Sequence, residues 1–504
     1  MSAVLLPRWS DRRVALAVFF TAILAYLSNV SIHPINADTV PNAYLPASLL
    51  GDGDLAFGPF EAPFMFVWTS AARGGGQAQI FVNDWRAIPP GSRKSYAQHY
   101  REGRLNYGGP RYYVVPTRLV RAQTGEPQYV GVFGPLAGLT ALPLAALAHA
   151  SGVRLWDDPA AVWGLAKLTA ALLIAASAAC VFLAAAALVP RASALVLALA
   201  YALGSCVWAI SSQALWQQTP EILFLALAMA CLLRIRAPVL RGAAGGAALA
   251  AATACRPTAA LVAVVIALWL LVSERRAFFA FVAAALPFAA AVLAYNAYYF
   301  GWMLEFGQLA GGERLALAKT GSPDLWQTPL WLGAAGLLAS PSRGLLVYSP
   351  FLVVAFAGAV QAWRDARWRA LRWLTLAVLL LWLPAFAWFD WWGGWAYGYR
   401  PIVDSTPLLA LLCLPVLEPV LERRAWRMAF AALVAWSVFV QVLGAFAYSP
   451  WGWNAKVVDA DGSRASVDRP QYRDRLWSFS DWQIGYLVAH FRRARAERGD
   501  AIAY

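Results

Sequence analysis

The sequence predicts an all-α polytopic membrane protein with about eleven transmembrane helices and a large first external loop. Three observations carry this. Of 504 residues, 60% are hydrophobic and 13% charged, where a soluble chain carries roughly 25% charged residues. The apolar residues fall in successive runs of spanning or near-spanning length. The arginines gather in short loops between those runs, as positive-inside topology requires. The net charge of +14 is therefore a topology signal rather than a nucleic-acid footprint, with some longer-loop arginines free to meet anionic lipid or phosphate. No nucleic-acid partner is expected.

The first span is Val14–Val30, about 17 residues long and preceded by Arg12 and Arg13. Its length and the lack of a small-residue cleavage site argue against a secretory signal. It delivers Asp38 to the far face of the membrane, at the start of a loop covering residues 31–130. That loop is too long to be a linker. Within it, Pro41 to Leu50 predicts a short surface helix, Phe57–Trp68 an interfacial segment, and Ser92–Arg121 a basic, tyrosine-rich stretch containing Arg111 and Tyr112.

Val130–Ala150 contains Gly134, Pro135 and Pro143 and is read as a dip into the outer leaflet, not a crossing. The later arginine clusters then all fall inside. Further spans follow at Val162–Val189, Leu195–Ile210, Ile222–Leu233, Ala243–Ala252, Ala259–Val272 and Phe278–Tyr298. After a second external loop, residues 299–348, come Phe351–Ala362, Leu374–Phe389, Ile402–Leu417 and Met428–Tyr448. The tail, residues 449–504, is expected outside, with Trp482–Phe491 as an interfacial helix before Arg492. The whole chain reads as one integral membrane domain. Five scattered cysteines predict no disulfide framework and no metal site.

The chemistry-bearing residues all map to the external side. Asp38 can take a proton from a hydroxyl held within hydrogen-bonding reach; alternatively, Asp38 or Thr39 caps a helix starting near Pro41. Asp84 is a further acidic candidate. Trp216 can stack on a sugar and Gln217, Gln218 and Glu221 can hydrogen-bond one. Arg256, Arg343 and Arg400 can each clamp a phosphate through the planar guanidinium fork. Arg400 closes the segment Asp390-Trp-Trp-Gly-Gly-Trp-Ala-Tyr-Gly-Tyr, whose glycines permit close backbone approach and whose Trp392, Trp395 and Tyr397 offer stacking faces. No Walker or dinucleotide fingerprint is present, so nothing points to a nucleotide-sugar or ATP site.

Taken together, Asp38 after the first span, the large first loop, Leu215-Trp-Gln-Gln-Thr-Pro, Arg256-Pro-Thr, Ser340-Pro-Ser-Arg-Gly-Leu-Leu-Val-Tyr-Ser-Pro and Trp392-Gly-Gly-Trp-Ala-Tyr-Gly-Tyr-Arg resemble the bacterial GT-C superfamily, in its protein-mannosyltransferase-like and aminoarabinose-transferase-like branches. The likeness runs to about residue 450. It implies an inverting glycosyltransferase of the bacterial inner membrane with its site facing the periplasm. The donor would be a polyprenyl-phosphate-linked sugar and the acceptor a glycan, lipid or protein hydroxyl. Asp38 would correspond to the usual first-loop base. Many relatives carry a second aspartate in the second external loop; this chain offers Gln217, Gln218 and Glu221 there. No cofactor is expected, and divalent-metal use is left open. The alternative is a lipid-linked glycan flippase or another polytopic transporter, which should show a polar path through the bilayer.

Overall fold

A computed structural model describes residues 10–29, 37–58, 62, 65–71, 77–80, 102–103, 106–120, 125, 127–450, 452–457 and 464–492. The chain is mostly helical. Among the described residues, four helices are long and apolar enough to cross a membrane: Pro159–Ala185, Arg275–Phe300, Ala366–Ala387 and Arg424–Ala447. The bent pair Arg400–Leu412 and Leu414–Glu422, which turns by 58°, makes a fifth if it is one span. Several other sequence-derived spans form shorter apolar helices, among them Arg191–Gly204 and Ala259–Ser273.

Helix α1 (Asp11–Leu27) covers the first apolar run, and α2 (Val40–Gly51) starts with Pro41 in its first turn, where the missing N–H costs nothing. This helix was expected at the membrane surface, yet Val40 through Ser48 are all buried. It is sandwiched by α3 (Pro135–Leu139) and α5 (Pro159–Ala185), so its apolar residues meet protein on several sides. Residues 130–150 do break: α3 and α4 (Leu142–Ala150) are too short to cross, each with a proline in its first turn. Gly138 sits on the Asn42 carbonyl and Leu45, where a Cβ would approach to 2.9 Å.

The bundle continues with α6 (Arg191–Gly204), α7 (Gln218–Arg234), α8 (Pro238–Cys255), α9 (Ala259–Ser273) and α10 (Arg275–Phe300). Helix α8 is rich in Gly and Ala; Gly242 and Gly246 leave no room for a Cβ against the backbone of Ala277 and Phe281 on α10. Close backbone approach of this kind is how helices associate where lipid removes the hydrophobic drive. Only 11% of the apolar window of α10 is buried by the protein. At one end of the bundle Asp11 pairs with both Arg191 and Arg234, and Arg241 with Glu274. The first pairing places the starts of α1 and α6 beside the end of α7. At the other end of α1, Asn29 donates to the Ala445 carbonyl and accepts from Trp208.

Beyond α10 lie α11 (Gly307–Thr320), α12 (Leu330–Ala339), α13 (Leu345–Tyr348), α14 (Val353–Arg364) and α15 (Arg369–Ala387). Residues 299–348, expected as a second external loop, are thus largely helical. Helices α16 (Thr406–Leu412), α17 (Leu414–Glu422) and α18 (Arg424–Ala447) complete the apolar body.

The all-α expectation needs correcting in the loop and the tail. Strands β1 (Phe66–Ala71), β2 (Gln77–Ile80) and β3 (Asn106–Pro110) form an antiparallel sheet ordered β2-β1-β3. A second pair, β4 (Val114–Val120) and β5 (Pro127–Gly131), follows. Val114-Val-Pro-Thr-Arg-Leu-Val is a β-branched run too polar on one face for a helix core. In the tail, β6 (Ala455–Val457) pairs with β7 (Arg464–Ser466), and α19 (Gln483–Ala489) follows. This last helix was expected to lie in the interface, but it buries Gln483, Ile484 and Leu487 against the protein.

Candidate functional site

A cavity of about 840 Å³ lies where the loops converge. Its polar wall draws on the turn after α1, the α6–α7 connection, the α8–α9 connection and the segment between α15 and α16, with further polar groups from the first loop, α11 and the tail. Its other wall is apolar, with Phe306, Leu309, Leu315, Trp326, Leu381 and Trp388.

Asp38 stands in a single 3-10 turn, Ala37–Thr39, immediately before α2. Thr39 makes no side-chain cap to that helix, and the Asp38 carboxylate turns toward the cavity. There it accepts a hydrogen bond from the Tyr112 hydroxyl at 2.7 Å and one from Arg400 Nη1 at 2.9 Å. The Asp38–Arg400 pair is 14% and 15% exposed, dry enough for charge to matter and open enough to meet a ligand.

Arg400 is held on three sides. Its Nη2 donates to the Gly393 carbonyl at 2.7 Å, and its guanidinium lies 4.7 Å from the centre of the Trp216 ring. Its Nε is buried, with no hydrogen-bond partner among the described residues. Gly393 and Gly394 both have left-handed φ, +71° and +63°, and a Cβ at Gly393 would stand 2.9 Å from Pro401. Only glycine makes this turn without strain.

Arg256 emerges at the end of α8 and pairs with Asp404, with Glu221 Oε2 at 3.9 Å and the Pro401 carbonyl at 3.4 Å. Around it the buried atoms Trp216 Nε1, Gln217 Oε1, Gln218 Oε1, Arg256 Nε and Thr258 Oγ1 have no hydrogen-bond partner among the described residues, while the Glu221 and Asp404 carboxyls meet each other. A buried polar group left unbonded costs about 1–3 kcal/mol, so such a concentration calls for an explanation. Donors and acceptors are interleaved here, and that suits a ligand bearing both an anion and hydroxyls.

Asp38, Arg256, Arg400, Trp216, Gln217, Gln218 and Trp395 all line the cavity, and Glu221 sits behind Arg256. The other sequence candidates do not. Arg343 is fully buried, and its guanidinium donates to the carbonyls of Trp392, Ser342 and Gly394 and to Asn454 Oδ1, the last at 2.7 Å. It braces the glycine turn from behind and has no face for a phosphate, which corrects the expectation drawn from its Pro/Gly frame. Trp392 donates to Asp468 and is buried. Tyr397 spends its hydroxyl on the Val440 carbonyl and packs edge-on to Tyr348, so it is core. Asp84 lies outside the described residues.

The structure adds groups to which the sequence reading gave no site role. Arg111, Tyr112 and Thr258 line the cavity. So do Lys319, Asp390 and Asp468, which form one ion cluster: Lys319 Nζ contacts Asp390 Oδ2 and lies 3.0 Å from Asp468 Oδ1. Burial pushes Lys319 down, but Asp390 and Asp468 outweigh it and hold the ammonium above its ordinary value. No family model matches the sequence, and no curated protein matches it.

Proposed function

We propose that this protein is an inverting glycosyltransferase that moves a sugar from a polyprenyl-phosphate donor to an acceptor hydroxyl, with a GT-C-like architecture of about eleven spans and the cavity opening to the periplasm. The supporting observation is the Asp38–Arg400 pair in a cavity that also receives Arg256 and the unbonded Trp216–Gln218 groups opposite an apolar wall. A lipid-linked sugar phosphate needs those three surroundings together.

In the step proposed, Asp38 accepts the proton of the acceptor hydroxyl. The acceptor oxygen attacks the anomeric carbon, and the bond from that carbon to the phosphate oxygen breaks with its electron pair. Polyprenyl phosphate leaves, and its added negative charge is met by Arg400 and Arg256. Configuration inverts because attack and departure are on opposite faces. Trp216, Gln217 and Gln218 are assigned to the sugar and its hydroxyls, and Glu221, behind Arg256, to holding that arginine.

The test is direct. Purified protein is given polyprenyl-phosphate-linked sugars and a membrane extract as acceptor source, and lipid-linked sugars are profiled in a strain lacking the gene. Consumption of one donor, with its accumulation in the deletion strain, is the expected result. If no donor is consumed or accumulates, the proposal falls. The 58° break after Leu412 favours the second reading, a lipid-linked glycan flippase, because discontinuous helices mark transporter sites. Donor movement across liposomes without sugar transfer would select it.

A further inference from the structure

We infer that, granted the glycosyl transfer proposed above, Lys319 is a positioning residue that fixes the Asp38–Arg400 pair by clamping the Gly393-Gly394 turn, without touching either partner. Two consecutive glycines have no side chains to hold their shape, so outside contacts must set the turn. Gly394 N–H donates to Asp390 Oδ1 at 2.9 Å, and Gly393 N–H donates to the Asp390 carbonyl at 2.9 Å. The Gly393 carbonyl then accepts Arg400 Nη2, whose neighbour Nη1 reaches Asp38. Arg343 braces this turn from behind through the Trp392 and Gly394 carbonyls, and the Asp390 carboxylate sets its cavity side through the Gly394 amide.

Lys319 decides where that carboxylate points. Its ammonium holds Asp390 Oδ2 on one flank of the turn and Asp468 Oδ1 on the other. Asp468 Oδ1 in turn accepts the indole N–H of Trp392 at 3.1 Å. The Asp390 side chain is 6% exposed and that of Asp468 25% exposed. Without the lysine, two carboxylates face each other with little water between them, and repulsion drives Asp390 off the Gly394 amide. The helix carrying Lys319, α11, is itself fixed. Gly312 packs under Trp388, and Gly311 lies against the backbone of Tyr112, the second partner of Asp38. One helix thereby braces both groups that orient Asp38.

The test uses the full-length protein with a polyprenyl-phosphate hexose that the wild type turns over. Lys319→Met should lower kcat by about tenfold to a hundredfold, the scale of a small misplacement of reacting groups, while the donor KM stays within about twofold. Lys319→Arg keeps the cation and should recover most of the loss. A rise in KM at unchanged kcat would overturn the inference, because Lys319 would then be a donor contact. A second measurement is independent of activity. Thermal unfolding midpoints of Lys319→Met, Arg400→Met and the double variant should be non-additive, although the two side chains share no bond. Additive shifts would also overturn it. If the wild type turns over no donor, the transfer proposal fails by itself and the unfolding cycle alone decides the role of Lys319.

Discussion

Replacing Arg400 separates a phosphate clamp from a mere anchor. The wild-type guanidinium makes three directed contacts at once: Asp38 at 2.9 Å, the Gly393 carbonyl at 2.7 Å and the Trp216 face at 4.7 Å. A lysine ammonium is a point charge on a flexible stem and has neither the fork nor the flat face. Arg400→Lys should retain partial neutralisation of Asp38, yet lose donor use by about tenfold or more. Arg400→Ala leaves a carboxylate that is 14% exposed without its cation, a cost of about 1–3 kcal/mol in stability. It also removes a charge aimed at the leaving phosphate, worth about a hundred- to a thousand-fold in kcat. Initial rates against polyprenyl-phosphate-sugar concentration give the kinetic effect, and thermal unfolding in detergent gives the other. Indistinguishable rate curves for wild type, lysine and alanine forms would refute the clamp and shift the phosphate to Arg256.

Asp38→Asn should leave folding and donor binding largely intact and reduce turnover by about a hundred- to ten-thousand-fold; near-normal turnover in purified protein would rule out Asp38 as the base. Arg343→Met should act oppositely, lowering the unfolding midpoint strongly, because each hydrogen bond it makes to a carbonyl is charge-assisted and worth about 1.5–3 kcal/mol; a midpoint close to wild type would contradict the bracing role. For Asp481, burial pushes the carboxyl up, but Arg475 and then Lys456 outweigh it and hold it below its ordinary value. Its folded value therefore lies below its unfolded one, so its contribution is present above about pH 4 and is lost as pH falls through the folded value. Proteolysis of residues 464–492 should accelerate below that range in wild type, and Asp481→Asn should flatten the pH dependence. Single cysteines replacing Glu102 and Ser478 should label from outside intact cells, while one replacing Arg236 should not; labelling at 236 but not at 102 would invert the topology, and labelling at both would change the span count by one.

Much of the candidate site was legible because its parts sit in motif-bearing segment ends. Asp38, Trp216, Arg256 and Arg400 come from four distant stretches and meet in one cavity. Composition could not separate Arg343 from Arg400, since both stand in Pro/Gly frames. What separates them is the supply of backbone carbonyls: Arg343 is ringed by them, whereas Arg400 meets one carbonyl, one carboxylate and one indole. The Lys319 cluster was illegible because its members lie 71 and 149 residues apart, with no local spacing to flag them. The strands in the first loop escaped for another reason: two- and three-stranded sheets draw their stability from the surface they pack on more than from local propensity.

Helix α10 touches the bundle mainly along the glycine stripe of α8 and faces outward elsewhere. Its far end is tied to the first loop, where Arg118 donates to the Tyr298 carbonyl at 2.9 Å and the Leu55 amide donates to the Tyr299 hydroxyl at 3.3 Å. A few residues later the chain enters α11, which carries Lys319 to the cavity. In a bilayer, a stave held so narrowly answers to hydrocarbon thickness by sliding or tilting, at a cost of fractions of a kcal/mol per Å. The lipid composition of the host membrane thus has a mechanical line to the roof of the cavity, and chain length of the surrounding lipids becomes a variable that turnover should register.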